Sequence, residues 1–214
     1  MMRLVFMVTG EISEPTFAKA LTSRYEVVGL VTQPDRPVGR KQIITAPQVK
    51  EMALDAGVPV IQPESVCEAK ALDQIREWNP EIIVVMAYGQ ILPQALIDIP
   101  LVAIINLHAS LLPKYRGASC VQAALRNGDT TTGWSIIHVV KRLDAGNIIL
   151  QTMIPISEGE TGGGLHDCLA EAGPVAFCAA LDLFGNGPVE GEAQDESLQT
   201  YVPKLSRKDG YLDW

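Results

Sequence analysis

Asn106 and His108 lie two residues apart where the apolar run Val102–Leu107 gives way to a polar cluster. A strand alternates its side chains, so the two point to the same side. An amide that can hold an oxygen and an imidazole that can carry a proton would then meet at the mouth of a sheet. In open α/β sheets that is where ligands bind. The same pair would also serve to cap the strand end and bond to nearby loops. The surrounding string is longer than a cap requires. Asn-x-His-x-Ser-Leu-Leu-Pro-x-Tyr-Arg-Gly spans Asn106–Gly117, and Leu143-Asp144-Ala145-Gly146 follows downstream. Cys120 is close by, but reads as a small residue starting a helix rather than as a nucleophile.

The elements that must position these groups follow from periodicity. Arg3–Val8, Val27–Thr32, Val58–Ile61, Ile82–Ala87 and Val102–Leu107 are short runs rich in Val and Ile without strict alternation, as in strands buried on both faces. Between them, Glu14–Thr22, Pro47–Ala56, Ala69–Glu77 and Pro93–Ile97 carry apolar residues at helical spacing, and Gly57 sits where a helix ends. Strand and helix in alternation imply right-handed crossovers and a Rossmann-like, doubly wound, mostly parallel sheet. Past Gly117 the pattern changes. Ala118–Arg126 reads as a helix. Thr132–Val139 and Ile148–Ile156 read as an antiparallel hairpin at one sheet edge, joined through Asp144. A long apolar helix, about Leu165–Phe184, follows Gly162-Gly163-Gly164, a flexible lead-in without the Lys-Ser/Thr ending of a phosphate loop.

The chain has 214 residues, enough to bury a full core without staples. Its net charge of −8 argues against general nucleic-acid binding, which needs clustered Lys and Arg. Cys67, Cys120, Cys168 and Cys178 fit no zinc spacing and read as reduced, mostly buried thiols. No apolar stretch is long enough to span a bilayer. These features lead to the expectation of a cytoplasmic protein with no membrane partner. His138 and His166 read as structural, and Trp78, Trp134 and Trp214 as packing residues. No G-x-G-x-x-G follows the first strand, which speaks against a dinucleotide binder.

Taken with Val31–Pro37, Ala87–Pro93 and Thr200–Leu205, the Asn106–Gly117 and Leu143–Gly146 motifs resemble those of the folate-dependent formyltransferases. Within that family the likeness is strongest to the N-terminal catalytic domain of the branch acting on methionyl-tRNA. The resemblance implies transfer of a formyl group from 10-formyltetrahydrofolate to an amine, without a metal, with Asn106, His108 and Asp144 as the catalytic trio. The amine attacks the formyl carbon, negative charge builds on oxygen, and Asn106 with a protonated His108 donates to it. Asp144 would orient a water that accepts the amine's proton. Tyr88, Gly89, Gln90, Ile91 and Leu92, with Ser110, Leu111, Leu112 and Pro113, are implied to line the folate site. Arg36, Arg40, Lys41 and Arg116 are implied to contact the acceptor, with Gln33–Pro47 an exposed loop that suits the phosphates of an initiator tRNA.

Departures from the family pattern are visible. Val8-Thr9-Gly10-Glu11-Ile12 replaces Gly-Thr-Pro-x-Phe, Asn147 replaces an Asp, Cys120 a Pro, and Arg40-Lys41-Gln42-Ile43 an Arg-Gly-Lys-Lys. The expected organisation is a catalytic domain over residues 1–190 and a tail or linker over 191–214, without the family's C-terminal barrel. Alternatives are formylation of a small amine (an amino-sugar nucleotide or glycinamide ribonucleotide), formyl-folate hydrolysis, and a non-catalytic folate-binding domain.

Overall fold

The computed structural model describes residues 1–210. The chain runs β1 (Arg3–Val8), α1 (Glu14–Leu21), β2 (Glu26–Val31), β3 (Arg36–Val38), β4 (Ile43–Thr45), α2 (Gln48–Asp55), β5 (Val60–Ile61), α3 (Ala69–Glu77) and β6 (Ile82–Met86). It continues with α4 (Gln94–Ile97), β7 (Ala103–His108), β8 (Arg116–Gly117), α5 (Cys120–Arg126), β9 (Thr131–His138), β10 (Ile148–Pro155), α6 (Gly162–Phe184) and β11 (Tyr201–Val202).

Seven strands form the main sheet in the order β10-β9-β7-β6-β1-β2-β5. Strands β7, β6, β1, β2 and β5 are parallel, and β9 and β10 close the edge as an antiparallel hairpin. The fold is therefore the doubly wound α/β sheet that the sequence pattern implies. The chain first winds outward from β1 to β2 and β5, then crosses to β6 on the other side of β1. The switch point lies between the carboxyl ends of β1 and β6, where Gly10 N–H donates to the Ala87 carbonyl at 3.4 Å.

The strand alternation builds two cores. Leu4, Phe6, Val8, Ile105, Leu107 and Trp134 face the layer of α1, α2, α5 and α6. Val5, Met7, Ile83, Val85 and Ile104 face α3 and α4. Phe6 packs against Phe17 and Phe177 with ring centroids 5.2 and 5.6 Å apart. Each such fully buried ring stabilises the fold by about 1.5–3 kcal/mol. Trp134 pins α6 to β9 by donating from Nε1 to the Leu169 carbonyl at 2.9 Å.

Several sequence expectations change. Gln33–Pro47 is no plain loop, because β3 and β4 pair within it as a short exposed hairpin. Gly162-Gly163-Gly164 forms the first turn of α6, with Thr161 Oγ1 accepting from Gly164 N–H as its cap. Of the cysteines only Cys120 is buried, while Cys67 and Cys168 are exposed on polar faces. Trp78 and Trp134 are packing residues, and Trp214 lies outside the described residues. Among the described residues no helix is long and apolar enough to cross a membrane.

Candidate active site

Asn106 and His108 continue the face of β7 that carries Ile104, the face covered elsewhere by α3 and α4. Past Ile104, the β9–β10 loop folds over Asn106 and His108 through Asp144. Its direction follows from the antiparallel pairing. Residue Ile105 lies opposite His138, and Val139 N–H donates to the Ile104 carbonyl, so the chain leaves the sheet beside the first half of β7. It returns to Ile148 by crossing above Asn106. Asp144, at the top of this crossing, has φ +48, a left-handed conformation uncommon outside glycine.

The Asp144 carboxylate is held from two sides. Oδ1 accepts from Asn106 Nδ2 at 3.3 Å, and Oδ2 accepts from Gly117 N–H at 2.9 Å. Oδ2 also lies 3.7 Å from His108 Nδ1, with both side chains almost wholly buried. The other imidazole nitrogen, Nε2, donates to the Tyr115 carbonyl at 2.8 Å. That bond leaves Nδ1 as the nitrogen facing the carboxylate, a contact that is attractive when Nδ1 carries a proton. The trio thus presents an amide N–H, an imidazole and a carboxylate within a few ångströms of each other.

Tyr115 holds His108 in place. Its backbone is left-handed (φ +62), its hydroxyl donates to Asp129 and accepts from Asn127, and burial with the Asp129 charge raises its pKa. Below it, Ser135 Oγ donates to the Ser110 carbonyl and accepts from Leu112 N–H, and Gln151 donates to the Leu112 carbonyl. The Ser110 and Leu112 side chains are buried, so these two expected folate residues shape the loop from inside. Ser135 and Gln151 carry no sequence signal beyond their place on facing strands.

Other expected site residues separate into groups. Tyr88 is buried in the α3–α4 core, and its carbonyl accepts from Gln33 Nε2 at 3.0 Å. Gln90 ties down the Pro63–Val66 segment through both ends of its amide. Gly89 has φ +85 and is open, and Ile91 is exposed. Leu92 packs partly on the second core, and Leu111 and Pro113 are half-buried. Exposed Val140 and Leu143 add apolar surface on the loop that carries Asp144.

Arg36, Arg40 and Lys41 project from the β3–β4 hairpin into solvent, with Arg36 reaching Glu64 at 2.9 Å. Arg116 does not join them. It is 4% exposed, and Gln194, Glu196 and Gln199 take all its donors. An acceptor contact by Arg116 would require it to release one of these bonds, because none of its N–H groups is free. The residues engaging it come from the segment after Val189, where sequence reasoning found no functional residue. Strand β11 in that segment pairs with β8, and Thr200 accepts from Tyr115 N–H.

A cleft of about 970 Å³ opens beside the switch point. Thr9, Gly10, Glu11 and Glu14 form one wall, Gln33, Pro34, Arg36 and Val38 with Thr45–Gln48 another, and His166, Asp167 and Glu171 of α6 a third. Partial burial raises the Glu14 pKa, the Glu11 charge adds to this, and His166 opposes it. Burial pushes the Cys120 thiol up to about 11, which leaves it protonated and unfit as a nucleophile near neutral pH. His138 Nε2 donates to the Val189 carbonyl at 2.7 Å, and the ring packs edge-on against Phe184, a structural place.

A sequence profile described as formyl transferase matches residues 2–181. The methionyl-tRNA formyltransferase of Akkermansia muciniphila is 50% identical over 213 residues, covering 100% of this chain and 68% of that protein. The chain belongs to the formyl transferase family. The methionyl-tRNA formyltransferase of Pseudomonas fluorescens is 44% identical, with 100% of this chain and 67% of its own length covered. Solved structures share the formyl transferase fold. Glycinamide ribonucleotide transformylase 1 from Symbiobacterium toebii superposes with TM-score 0.73 at 21% identity, covering 91% of this chain and 95% of its own. An N-formyltransferase from Helicobacter canadensis, in complex with folinic acid and dTDP-3-aminofucose, gives 0.75 at 20% identity, covering 98% and 72%.

Proposed function

We propose that this formyl transferase moves a formyl group from 10-formyltetrahydrofolate to the amino group of methionyl-tRNA. The observation that carries the reading is the Asp144 carboxylate within 3.3 Å of the Asn106 amide and 3.7 Å of the His108 ring. The likeness to methionyl-tRNA formyltransferases along the whole chain supports the acceptor. A donor with a flat ring suits the surfaces present: open Gly89 and exposed Ile91 after β6, and exposed Val140 and Leu143 on the Asp144 loop. 10-Formyltetrahydrofolate supplies the activated formyl carbon.

The chain's own residues do the rest. As negative charge grows on the formyl oxygen, Asn106 Nδ2 and protonated His108 Nδ1 donate to it. Asp144 orients both donors and accepts the amine's proton through a water. The tetrahedral intermediate then collapses, the bond from the formyl carbon to N10 breaks, and N10 of tetrahydrofolate leaves with that proton, returned through the same water. The Tyr115 carbonyl and Gly117 N–H keep ring and carboxylate aligned, so no reorganisation is needed during the reaction. Arg36, which lines the cleft, and exposed Arg40 and Lys41 on the same hairpin offer phosphate contacts. The catalytic unit then comprises residues 1–190 together with the Glu192–Leu205 segment laid across β8. Cysteines without a disulfide suit a reducing cytoplasm.

The test is an acceptor screen with 10-formyltetrahydrofolate against initiator methionyl-tRNA, glycinamide ribonucleotide, an amino-sugar nucleotide and water. Fastest turnover with methionyl-tRNA is expected. Preference for a small amine, or formate release alone, would overturn the acceptor assignment.

A further inference from the structure

We infer that Gln194 is a positioning residue for the reaction: its amide clamps the backbone of the Asp144 loop to buried Arg116 and so aims the Asp144 carboxylate. The inference rests on the reading of Asp144 as the catalytic carboxylate.

Gln194 is 9% exposed, and its amide is fully used. Nε2 donates to the carbonyls of Asp144 and Gly146, each at 2.8 Å. Oε1 accepts from Arg116 Nε at 3.1 Å and Nη2 at 2.7 Å. Arg116 can only donate and carbonyls can only accept, so the amide has one possible orientation. Flipping it would face donor to donor and acceptor to acceptor.

The clamp grips the loop where it bends most. Asp144 is the residue with φ +48, and its neighbour but one, Gly146, is so close to His138 that a Cβ would overlap that residue's carbonyl. A non-glycine residue keeps a left-handed conformation only when its surroundings dictate it. Capture of the Asp144 and Gly146 carbonyls supplies that constraint. Glu196 adds a second grip by pairing with both Arg116 and Arg142, the latter on the same loop. The segment carrying Gln194 and Glu196, a strap from Glu192 to Val202, is fixed at both ends. Glu192 exchanges two backbone bonds with Ile148, and β11 pairs with β8. Arg116 therefore joins three things: the strap, the loop, and Gly117, whose N–H binds the Asp144 carboxylate.

Gln194→Glu separates the two halves of the clamp. A carboxylate still accepts from Arg116 but cannot donate to the two carbonyls, whereas Gln194→Ala loses both. Steady-state kinetics with 10-formyltetrahydrofolate and methionyl-tRNA, melting temperature, and titration of folate-binding sites are measured for both variants, with Asp144→Asn as control. In Gln194→Glu, kcat is expected to fall about tenfold or more while both KM values stay within about threefold and the melting temperature and site count match the wild type. Wild-type kcat in Gln194→Glu would overturn the inference. So would a loss of kcat that tracks a lower melting temperature or fewer folate sites in both variants, because Gln194 would then hold up the fold alone. If Asp144→Asn itself keeps wild-type turnover, the reading of the trio fails, and the clamp has nothing to aim.

Discussion

Gly117 donates its backbone N–H to the Asp144 carboxylate at 2.9 Å, joining the end of the Asn106–Gly117 motif to a loop 27 residues further on. Gly117 has φ +108, and a Cβ there would overlap the Val202 carbonyl of β11. A side chain is excluded twice, by the backbone conformation and by the neighbouring strand. Gly117→Ala must push β11 away or rotate the amide off Asp144. We expect a loss of roughly 1–3 kcal/mol in stability and a fall in kcat of about a hundredfold, or about 2.7 kcal/mol in the barrier. Denaturant melts and single-turnover rates measure the two. A variant with wild-type values for both contradicts this placement of the amide.

The β3–β4 hairpin carries Arg36, which lines the cleft, and exposed Arg40 and Lys41 at its turn. Replacing all three with Gln is expected to raise the KM for methionyl-tRNA about tenfold or more with a smaller effect on kcat. The dependence of affinity on salt becomes shallower by about one unit of slope for each phosphate that is no longer neutralised. Binding of the folate donor is unchanged. An unaltered salt slope would show that the acceptor lies elsewhere.

The cysteines separate by exposure. Cys67 and Cys168 are accessible, whereas burial pushes the Cys120 thiol up to about 11. At pH 8 a thiol of that kind is about one part in a thousand thiolate. Intact-mass analysis after iodoacetamide treatment is expected to show prompt modification at Cys67 and Cys168 and none at Cys120. Formyl transfer survives Cys120→Ser with a modest loss of stability. Loss of turnover in that variant without unfolding would restore a chemical role for the thiol.

Asp35 anchors the base of the hairpin. Lys50 Nζ lies 2.8 Å from Oδ2 and Gln62 Nε2 donates to Oδ1 at 2.6 Å, and these bonds, Lys50 first, lower the Asp35 pKa. A carboxylate lowered in the folded state contributes stability above its ordinary value of 3.8 and loses it as pH falls through the lowered value. Carboxyl titration by NMR is expected to find a midpoint below 3.8, returning toward it in Lys50→Met. A midpoint at or above the ordinary value contradicts the anchor.

Much of the sheet was legible because its strands carry the signal of burial on both faces. Val-Ile runs mark β1, β2, β6 and β7, and the hairpin β9–β10 follows from a change of pattern after Gly117. The alternation Asn106-Leu107-His108 correctly places two polar groups on one face. Asp144 was reached through resemblance rather than spacing, because a loop that folds over a sheet face leaves no periodic trace. Gln194 was not legible at all. Its partner Arg116 lies 78 residues away, and a single polar residue in a polar segment looks solvated until the chain closes on it. Arg116 was assigned through the resemblance, and only the segment from Glu192 to Val202 shows that its donors are taken within the chain. The β3–β4 hairpin was missed because three-residue strands around Gly39 and Gln42, both at positive φ, are too short to show alternation.

The most direct measurement is formyl transfer by Asp144→Asn. Asparagine keeps the size of the side chain and an oxygen for Gly117 but removes the charge beside His108 and the acceptor for the amine's proton. We expect kcat to fall by about a thousandfold, within the range general acid–base groups contribute, with the melting temperature unchanged. Turnover within about threefold of the wild type in a folded Asp144→Asn protein would contradict the assignment of Asn106, His108 and Asp144 as the reacting centre.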